Sequence, residues 1–364
     1  MNSAIGIIFA NYTSDRLKSL VDSRAIASIP FGGRYRLVDF PLSNMVNAGI
    51  KMLGLIAPYT YRSLADHIGN GKEWGIGHKS GRLFLLPGSV YGMRAGYTKF
   101  LMRDLLQNKS FVAHDNVDYV VLSATGFVYN MDYNAVIDFH KANKEPVTLV
   151  YKDIARAQRG HFLQVDANGK VTGIDYEDNG SGKRFLECMV VDRQFLIDFM
   201  GWYGALDYMD IVDLIREHLA EIAANAYEFK GYVRCIDCVE DYMQASMDLL
   251  KTEVRTELFE NERPIFTNVQ DRPPTSYAAT AKVKNSLISA GSVIKGTVEN
   301  SIIFRSVTIE KGAVVKNSIL MQYASVAEGA ELNNVICDKY VKIGEGRKIE
   351  STDEPILIAE DKNF

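Results

Sequence analysis

Short, almost continuous apolar runs alternate with amphipathic stretches along roughly the first 250 positions of the chain. AIGIIFA (4–10), MLGLIAPY (52–59), DYVVLSA (118–124) and PVTLVYK (146–152) have the pattern of strands buried on both faces. Between them, SNMVNAGI (43–50), YTKFLMRDLLQN (97–108) and YNAVIDFHKAN (133–143) space their apolar residues as helices do. The alternation predicts an α/β domain with a mostly parallel sheet and helices on both faces. Such folds bind ligands beyond the carboxyl ends of their strands. The loops after 4–10 and after 118–124 are therefore the places where chemistry is expected.

The pattern breaks at 260–279. ENERPIFTNVQDRPPTSYAA holds Pro264, Pro273 and Pro274 and no helical period, so it reads as a linker between a domain at 1–259 and another at 280–364. In the second domain, short β-branched runs are separated by Gly, Asn and Ser. Apolar residues recur six apart at Ile288 and Ile294, at Ile303, Ile309 and Val315, and at Leu320, Val326 and Leu332. A six-residue period fits a hexapeptide β-helix with one strand on each side of a triangular coil. Each coil leaves an apolar face that only the next coil covers. An ordinary sheet of short hairpins is the alternative.

Length and composition fit this two-domain picture. The chain has 364 residues, 47% of them hydrophobic and 24% charged, with a formal charge of −4. These values, with a pI near 5.9, speak against general nucleic-acid or membrane binding. No apolar stretch is long enough to span a bilayer, and MNSAIGIIFANYTSD lacks the basic flank of a signal peptide. Four cysteines, Cys188, Cys235, Cys238 and Cys337, do not make a disulfide framework, and a reducing cytoplasm is expected. Hexapeptide acyltransferases commonly use a coil histidine as base. The six histidines here are His67, His78, His114, His140, His161 and His218, all outside the coil region, so the coil reads as a structural or assembly element.

RLKSLVDSRAIASIPFGGRYRLVDFPLSNMVNAGI (16–50) closely resembles the N-terminal block of ADP-glucose pyrophosphorylases, the glucose-1-phosphate adenylyltransferases of glycogen and starch synthesis. PFGGRYRLVDFPLSN is its most specific part. The likeness continues through YNMDYNAVIDFHKAN and DYMQASMDLL into the coil region, covering nearly the whole chain. It implies a nucleotidyltransferase-type Rossmann-like domain followed by a left-handed β-helix. It also implies a reaction in which ATP and glucose 1-phosphate give ADP-glucose and pyrophosphate with Mg²⁺.

The positions that carry this chemistry in the family are altered here. The family's GGxGxR loop is NYTSDR, with Asn11, Tyr12 and Ser14 at glycine positions and only Arg16 retained. Glycines allow the left-handed backbone and the close approach that a phosphate cradle needs. A phosphate-binding lysine position holds Ile26. The sugar-phosphate segment corresponds to VTGIDYEDNG (171–180), which is acidic and has no lysine. The two metal-aspartate positions hold Gly126 and Cys235. Glycine offers no ligand and a thiolate is too soft for Mg²⁺. Asp237 lies two residues away and would serve only in a rebuilt loop. Cys235 and Cys238 form a CxxC without a second zinc half or a thioredoxin-like context, and read as small side chains filling a vacated site.

The resemblance therefore implies a catalytically silent member that binds no Mg²⁺ or other cofactor and regulates a homologous catalytic subunit within a homo- or hetero-oligomer. A weakly active adenylyltransferase and a hexapeptide acyltransferase are the alternatives. Family effector phosphates bind basic residues whose positions here are Arg24, Arg36 and Lys339. Two further basic positions hold Ser23 and Pro30. A phosphorylated metabolite is accordingly expected as a possible effector.

Overall fold

The computed structural model describes residues 4–58, 60–76, 81–89, 98–114, 117–154, 159–177, 180–203 and 209–360. The N-terminal domain is built on a nine-stranded sheet: β1 (Ala4–Phe9), β2 (Met52–Ala57), β3 (Arg82–Pro87), β4 (Tyr119–Ala124), β5 (Val147–Asp153), β6 (Phe162–Val165), β7 (Val171–Asp175), β8 (Lys183–Asp192) and β9 (Ala224–Glu228). β1 lies between β2 and β4, parallel to both, and β3 extends the parallel set beyond β2. β8 runs antiparallel between β4 and β5, and β9 pairs parallel with β5. All four strands expected from the apolar runs are present. The helix Tyr133–Asn143 matches its predicted stretch in full, whereas Asp39–Asn47 and Met102–Gln107 cover only 43–47 of 43–50 and 102–107 of 97–108, and Tyr97 lies outside the described residues. Every residue of β1 is buried, as a central parallel strand requires.

β8 departs from regular pairing in a way that matters for the site. Its register against β5 shifts between Phe185 and Met189, and Glu187 inside that gap has φ of 53°. A left-handed non-glycine residue within a bulge redirects its side chain and carries strain.

The C-terminal part is a parallel β-helix of three five-stranded sheets, whose first strand, Ser276–Tyr277, already falls within the stretch read as a linker. The six-residue period marks the inward positions. Ile294, Ile303, Ile309, Val315, Leu320, Val326 and Leu332 form one buried cluster, with Ile288 packed against it. Most coils advance by 15 or 17 residues, short of three full hexapeptides because corners are tightened, and the last advance in one sheet, from Val335 to Ile356, is 21. One sheet has apolar residues on both faces. Ile303, Leu320 and Cys337 point into the coil, while Ile302, Ile319 and Ile336 join the core of the N-terminal domain. Each buried isoleucine contributes about 1.5–3 kcal/mol, so this row fastens the coil to the domain beside it. No helix among the described residues is long and apolar enough to cross a membrane.

Candidate functional site

The loop after β1 is held by side chains where a phosphate cradle needs bare backbone. Asn11 is buried, and its Nδ2 donates to the Ser89 carbonyl and to Asp104 Oδ2, both at 2.9 Å. Asp104 also accepts from the Ser89 N–H at 2.7 Å, so the loop is braced to the start of the next connection. Tyr12 turns inward and is 3% exposed. Its hydroxyl accepts from the Thr125 N–H at 3.0 Å and shares a second hydrogen bond with Thr125 Oγ1, also 3.0 Å. Burial raises its pKa far above that of a free phenol. Ser14 donates to the Asp237 carbonyl at 2.8 Å, and Arg16 forms a 2.7 Å ion pair with Asp237. None of Asn11, Tyr12 and Ser14 has positive φ. The loop therefore does without the left-handed geometry that the family glycines provide.

Gly126 and Cys235, far apart in sequence, meet here. Phe127–Val128 and Arg234–Cys235 form a two-residue antiparallel ladder, and the Ile236 N–H donates to the Gly126 carbonyl at 2.7 Å. A Cβ at Gly126 would lie 3.2 Å from Tyr12 Oη, 3.5 Å from Glu187 Oε2 and 3.6 Å from Lys99 Nζ. Lys99 is ion-paired to Glu187 Oε1, and Arg184 reaches the same oxygen at 3.3 Å. Lys99 also lies over the Tyr12 ring, 5.4 Å from its centroid. Burial would push the Lys99 pKa down, but Glu187 outweighs it and holds the ammonium well above its usual range. The Lys99 backbone is fixed in turn by Asp210, which accepts from the Lys99 N–H at 2.8 Å and caps the helix Ile211–Glu217 through Val212 N. Burial pushes the Asp210 carboxyl up to about 6.

These residues do not fit a hard divalent cation. Gly126 brings no side-chain oxygen and its carbonyl is taken by the Ile236 N–H, and burial pushes the Cys235 thiol up to about 12, which keeps it protonated and a poor ligand. Glu187 is engaged by two cations, although its Oε2 has no hydrogen-bond partner. Asp237, the alternative acid, is held by Arg16. Cys238 caps the helix Val239–Asp248, its sulfur accepting from Asp241 N at 3.4 Å, and its thiol is likewise raised to about 12 by burial. All four cysteines are free and buried.

Sequence reasoning missed Lys99, Arg184 and Glu187. The signal was available in RFLECMVVD, where an arginine and a glutamate interrupt a run otherwise suited to a buried strand, and such charges must be paired. Outside this cluster opens a polar cleft of about 520 Å³, lined among others by Arg16, Arg159, Arg234, Asp237, Glu240 and Asp241. Ile26 does not face it; the side chain is 2% exposed and belongs to the main core. VTGIDYEDNG supplies β7, and no lysine comes from it.

The three basic candidates converge at the junction of the two domains but differ in availability. Arg24 is 2% exposed and makes a bidentate pair with Asp338, 2.9 Å to each oxygen, and a further 2.9 Å contact with Glu360. Arg36 donates to Ser63 Oγ at 2.8 Å, and burial lowers its pKa to about 10. Lys339 is half-buried, and burial, then Arg24 and Arg36, bring its ammonium down to about 8. Its amine makes no hydrogen bond or ion pair among the described residues.

Comparison with known proteins matches residues 5–175 to the nucleotidyl transferase family model and residues 274–354 to the model of the GlmU-like, C-terminal hexapeptide. The chain is similar to the glycogen biosynthesis protein GlgD of Geobacillus stearothermophilus, with 36% identity over 86% of this chain and 83% of that protein. It is 33% identical to GlgD of Bacillus subtilis over 85% of this chain and 82% of the other. The glucose-1-phosphate adenylyltransferase of Pseudothermotoga lettingae is 31% identical over 86% of this chain and 77% of its own.

Proposed function

Since the chain belongs to the ADP-glucose pyrophosphorylase (glucose-1-phosphate adenylyltransferase) family, with which the GlgD proteins group, we propose that it is a non-catalytic regulatory subunit acting in glycogen biosynthesis on a homologous catalytic chain. The observation that carries this reading is the internal filling of the site. Tyr12 and the Lys99–Glu187–Arg184 cluster crowd the point where Gly126 and Cys235 meet. Nucleotidyl transfer needs groups aimed at developing charge on phosphate, and here Lys99 and Arg184 are both turned onto one buried carboxylate, Glu187. The Mg²⁺ site is read as lost on the same grounds.

The junction of the domains supports a regulatory role. Lys339, facing Arg24 and Arg36 with Glu360 and Asp338 opposing them, is a cation in need of an anion. A phosphorylated metabolite would stabilise its charged form and displace the Glu360 carboxylate, which accepts from Ser23 Oγ at 2.9 Å as well as from Arg24.

The test is turnover. Purified alone and free of host enzyme, the chain is expected to release no pyrophosphate from ATP, glucose 1-phosphate and Mg²⁺. A rate within about a hundredfold of an active family member, a gap of only about 2.7 kcal/mol in barrier, would overturn the proposal.

A further inference from the structure

The nine-stranded sheet of the N-terminal domain ends in two strands of different character. β7 stands at one end, and its pairing is interrupted between Val171 and Gly173, with Thr172 and Asp175 among its five residues. An irregularity and a charge are devices that keep an edge from pairing with another chain. β3 stands at the other end, and among the described residues it pairs with β2 alone. That pairing runs unbroken from Arg82 to Pro87, and the strand reads RLFLLP, with four apolar residues in a row. The Arg82 N–H donates to the Lys51 carbonyl at 2.7 Å. Backbone groups alternate sides along a strand, so Phe84 and Leu86 turn theirs toward β2 as well. Leu83, Leu85 and Pro87 turn theirs outward, and the N–H groups of Leu83 and Leu85 have no acceptor among the described residues. Pro87 has no N–H to offer and sits where an edge tolerates it.

Both faces beside this open edge are apolar and hollow. On one, a cavity of about 580 Å³ is lined by Met52, Phe84, Leu86 and Phe111, with Lys51 and Arg82 at its cationic end. On the other, a cavity of about 630 Å³ is lined by Ala57, Pro58, Tyr61, Leu85 and Pro87. Phe84 is held edge-on to Phe111, ring centroids 5.5 Å apart, yet remains 36% exposed; Leu85 is 42% and Tyr61 51% exposed. Single exposed apolar residues are ordinary, but a contiguous group around unpaired strand donors marks a surface that another strand covers.

We infer that β3 docks on the β3 of a second copy of this chain, antiparallel about a two-fold axis at Leu85, so that two nine-stranded sheets become one. The strand is self-complementary, as a two-fold interface requires. Leu85 faces Leu85 of the second copy, Phe84 faces Leu86, and Leu83 faces Pro87. All four outward N–H groups then find acceptors: each Leu85 donates to the other Leu85 carbonyl, and each Leu83 to the opposite Pro87 carbonyl. The donor that Pro87 lacks falls at the two ends of the ladder. An axis at Phe84 would instead set Arg82 against Leu86. Charge favours the same arrangement. Lys51 and Arg82 gather at the start of the strand, and antiparallel pairing keeps the Arg82 residues of the two copies about 20 Å apart, whereas parallel pairing would bring these cations together. The inference concerns the chain alone and stands whether or not it regulates a homologue.

The experiment is size exclusion with mass detection on the full chain at micromolar concentration, joined to oxidative cross-linking. All four native cysteines are buried, so an introduced thiol reports its own neighbour. Leu85→Cys is expected to give a disulfide-linked dimer, because residues facing each other across such a hydrogen-bonded pair have Cα atoms about 5.5 Å apart, within disulfide reach. Phe84→Cys is expected to give none, since its two copies would stand about 8 Å apart. Leu85→Glu sets two carboxylates face to face and is expected to halve the mass, weakening association about thirtyfold or more as loss of a central anchor does. Its melting temperature when dilute checks that it folds, and the Leu85→Cys cross-link decides the matter if it does not. A monomeric unmodified chain overturns the assignment and leaves the edge to a strand of a different protein. So does an oligomer whose mass Leu85→Glu leaves unchanged, or a cross-link that forms at position 84 and not at 85.

Discussion

Individual side chains fill the places where the family resemblance would put a phosphate cradle and metal acids. Where a phosphate would need open backbone, Asn11 braces the loop to Asp104 and Ser89, and Tyr12 closes onto Thr125. Where a metal acid would stand, Gly126 leaves just enough room for the Tyr12 hydroxyl and Glu187. Lys339 allows a quantitative prediction at this scale. Its pKa is depressed, so between about 8 and the ordinary lysine value the folded chain holds fewer protons than the unfolded one. Stability therefore rises with pH through that window, and below it the charged amine is a net penalty. Lys339→Met should raise the melting temperature at pH 7, and its advantage should shrink as pH climbs through 8 and vanish near 11. Added phosphate should narrow the gap at pH 7 by stabilising the unmodified chain. Equal melting temperatures for the two proteins across pH 7–11 would show that the amine is not strained.

The elements were more legible than the contacts between them. Apolar runs located β1, β2, β4 and β5, because strands buried on both faces cannot carry polar residues without partners. The six-residue period located the inward positions of the coil for the same reason. The row Ile302, Ile319 and Ile336 was hidden, since a period of inward residues says nothing about which outer face docks on a neighbour. Lys99 and Glu187 were hidden too: 88 residues separate them, and β8 brings them together only through its bulge. Gly126 and Cys235 were found only through resemblance, and their ladder could not have been read from either segment alone. The element view also predicts what repair requires. Gly126→Asp with Cys235→Asp adds two acids beside Glu187 but leaves Tyr12 and the loop 11–16 in place. Pyrophosphate release by this variant should stay at background, and its melting temperature should fall, because carboxylates are crowded into a buried space. Grafting a glycine loop for residues 11–14 and Ile26→Lys together with both acids is the smallest change expected to give measurable turnover, since parts of one catalytic unit act non-additively. Robust activity from Gly126→Asp alone would mean that the nucleotide site had been intact.

At the scale of the whole molecule, the two domains are fastened to each other. The coil is bound to the N-terminal domain through an apolar row and through the buried Arg24–Asp338 pair, with 2% and 0% of the two side chains exposed. Removing one partner of such a pair costs about 3–5 kcal/mol, so the two domains hold a fixed relation and a signal at their junction can reach both. A chain with this architecture and a filled site could enter a symmetric assembly in place of an active copy and present the same surfaces. It would then alter its neighbours through contacts that differ between low- and high-activity states, a coupling of about 1–3 kcal/mol, or 5- to 150-fold in affinity. Co-expressed with a catalytic glucose-1-phosphate adenylyltransferase from the same cell, this chain should co-purify as a mixed oligomer by size exclusion with mass detection. Titrated into the catalytic chain, it should shift turnover, substrate affinity or the response to phosphorylated effectors. Lys339→Met should keep the complex but blunt the effector response, which separates assembly from regulation. Two chains that never co-migrate at micromolar concentration, with every kinetic constant of the catalytic chain unmoved by the titration, would end the regulatory-subunit reading.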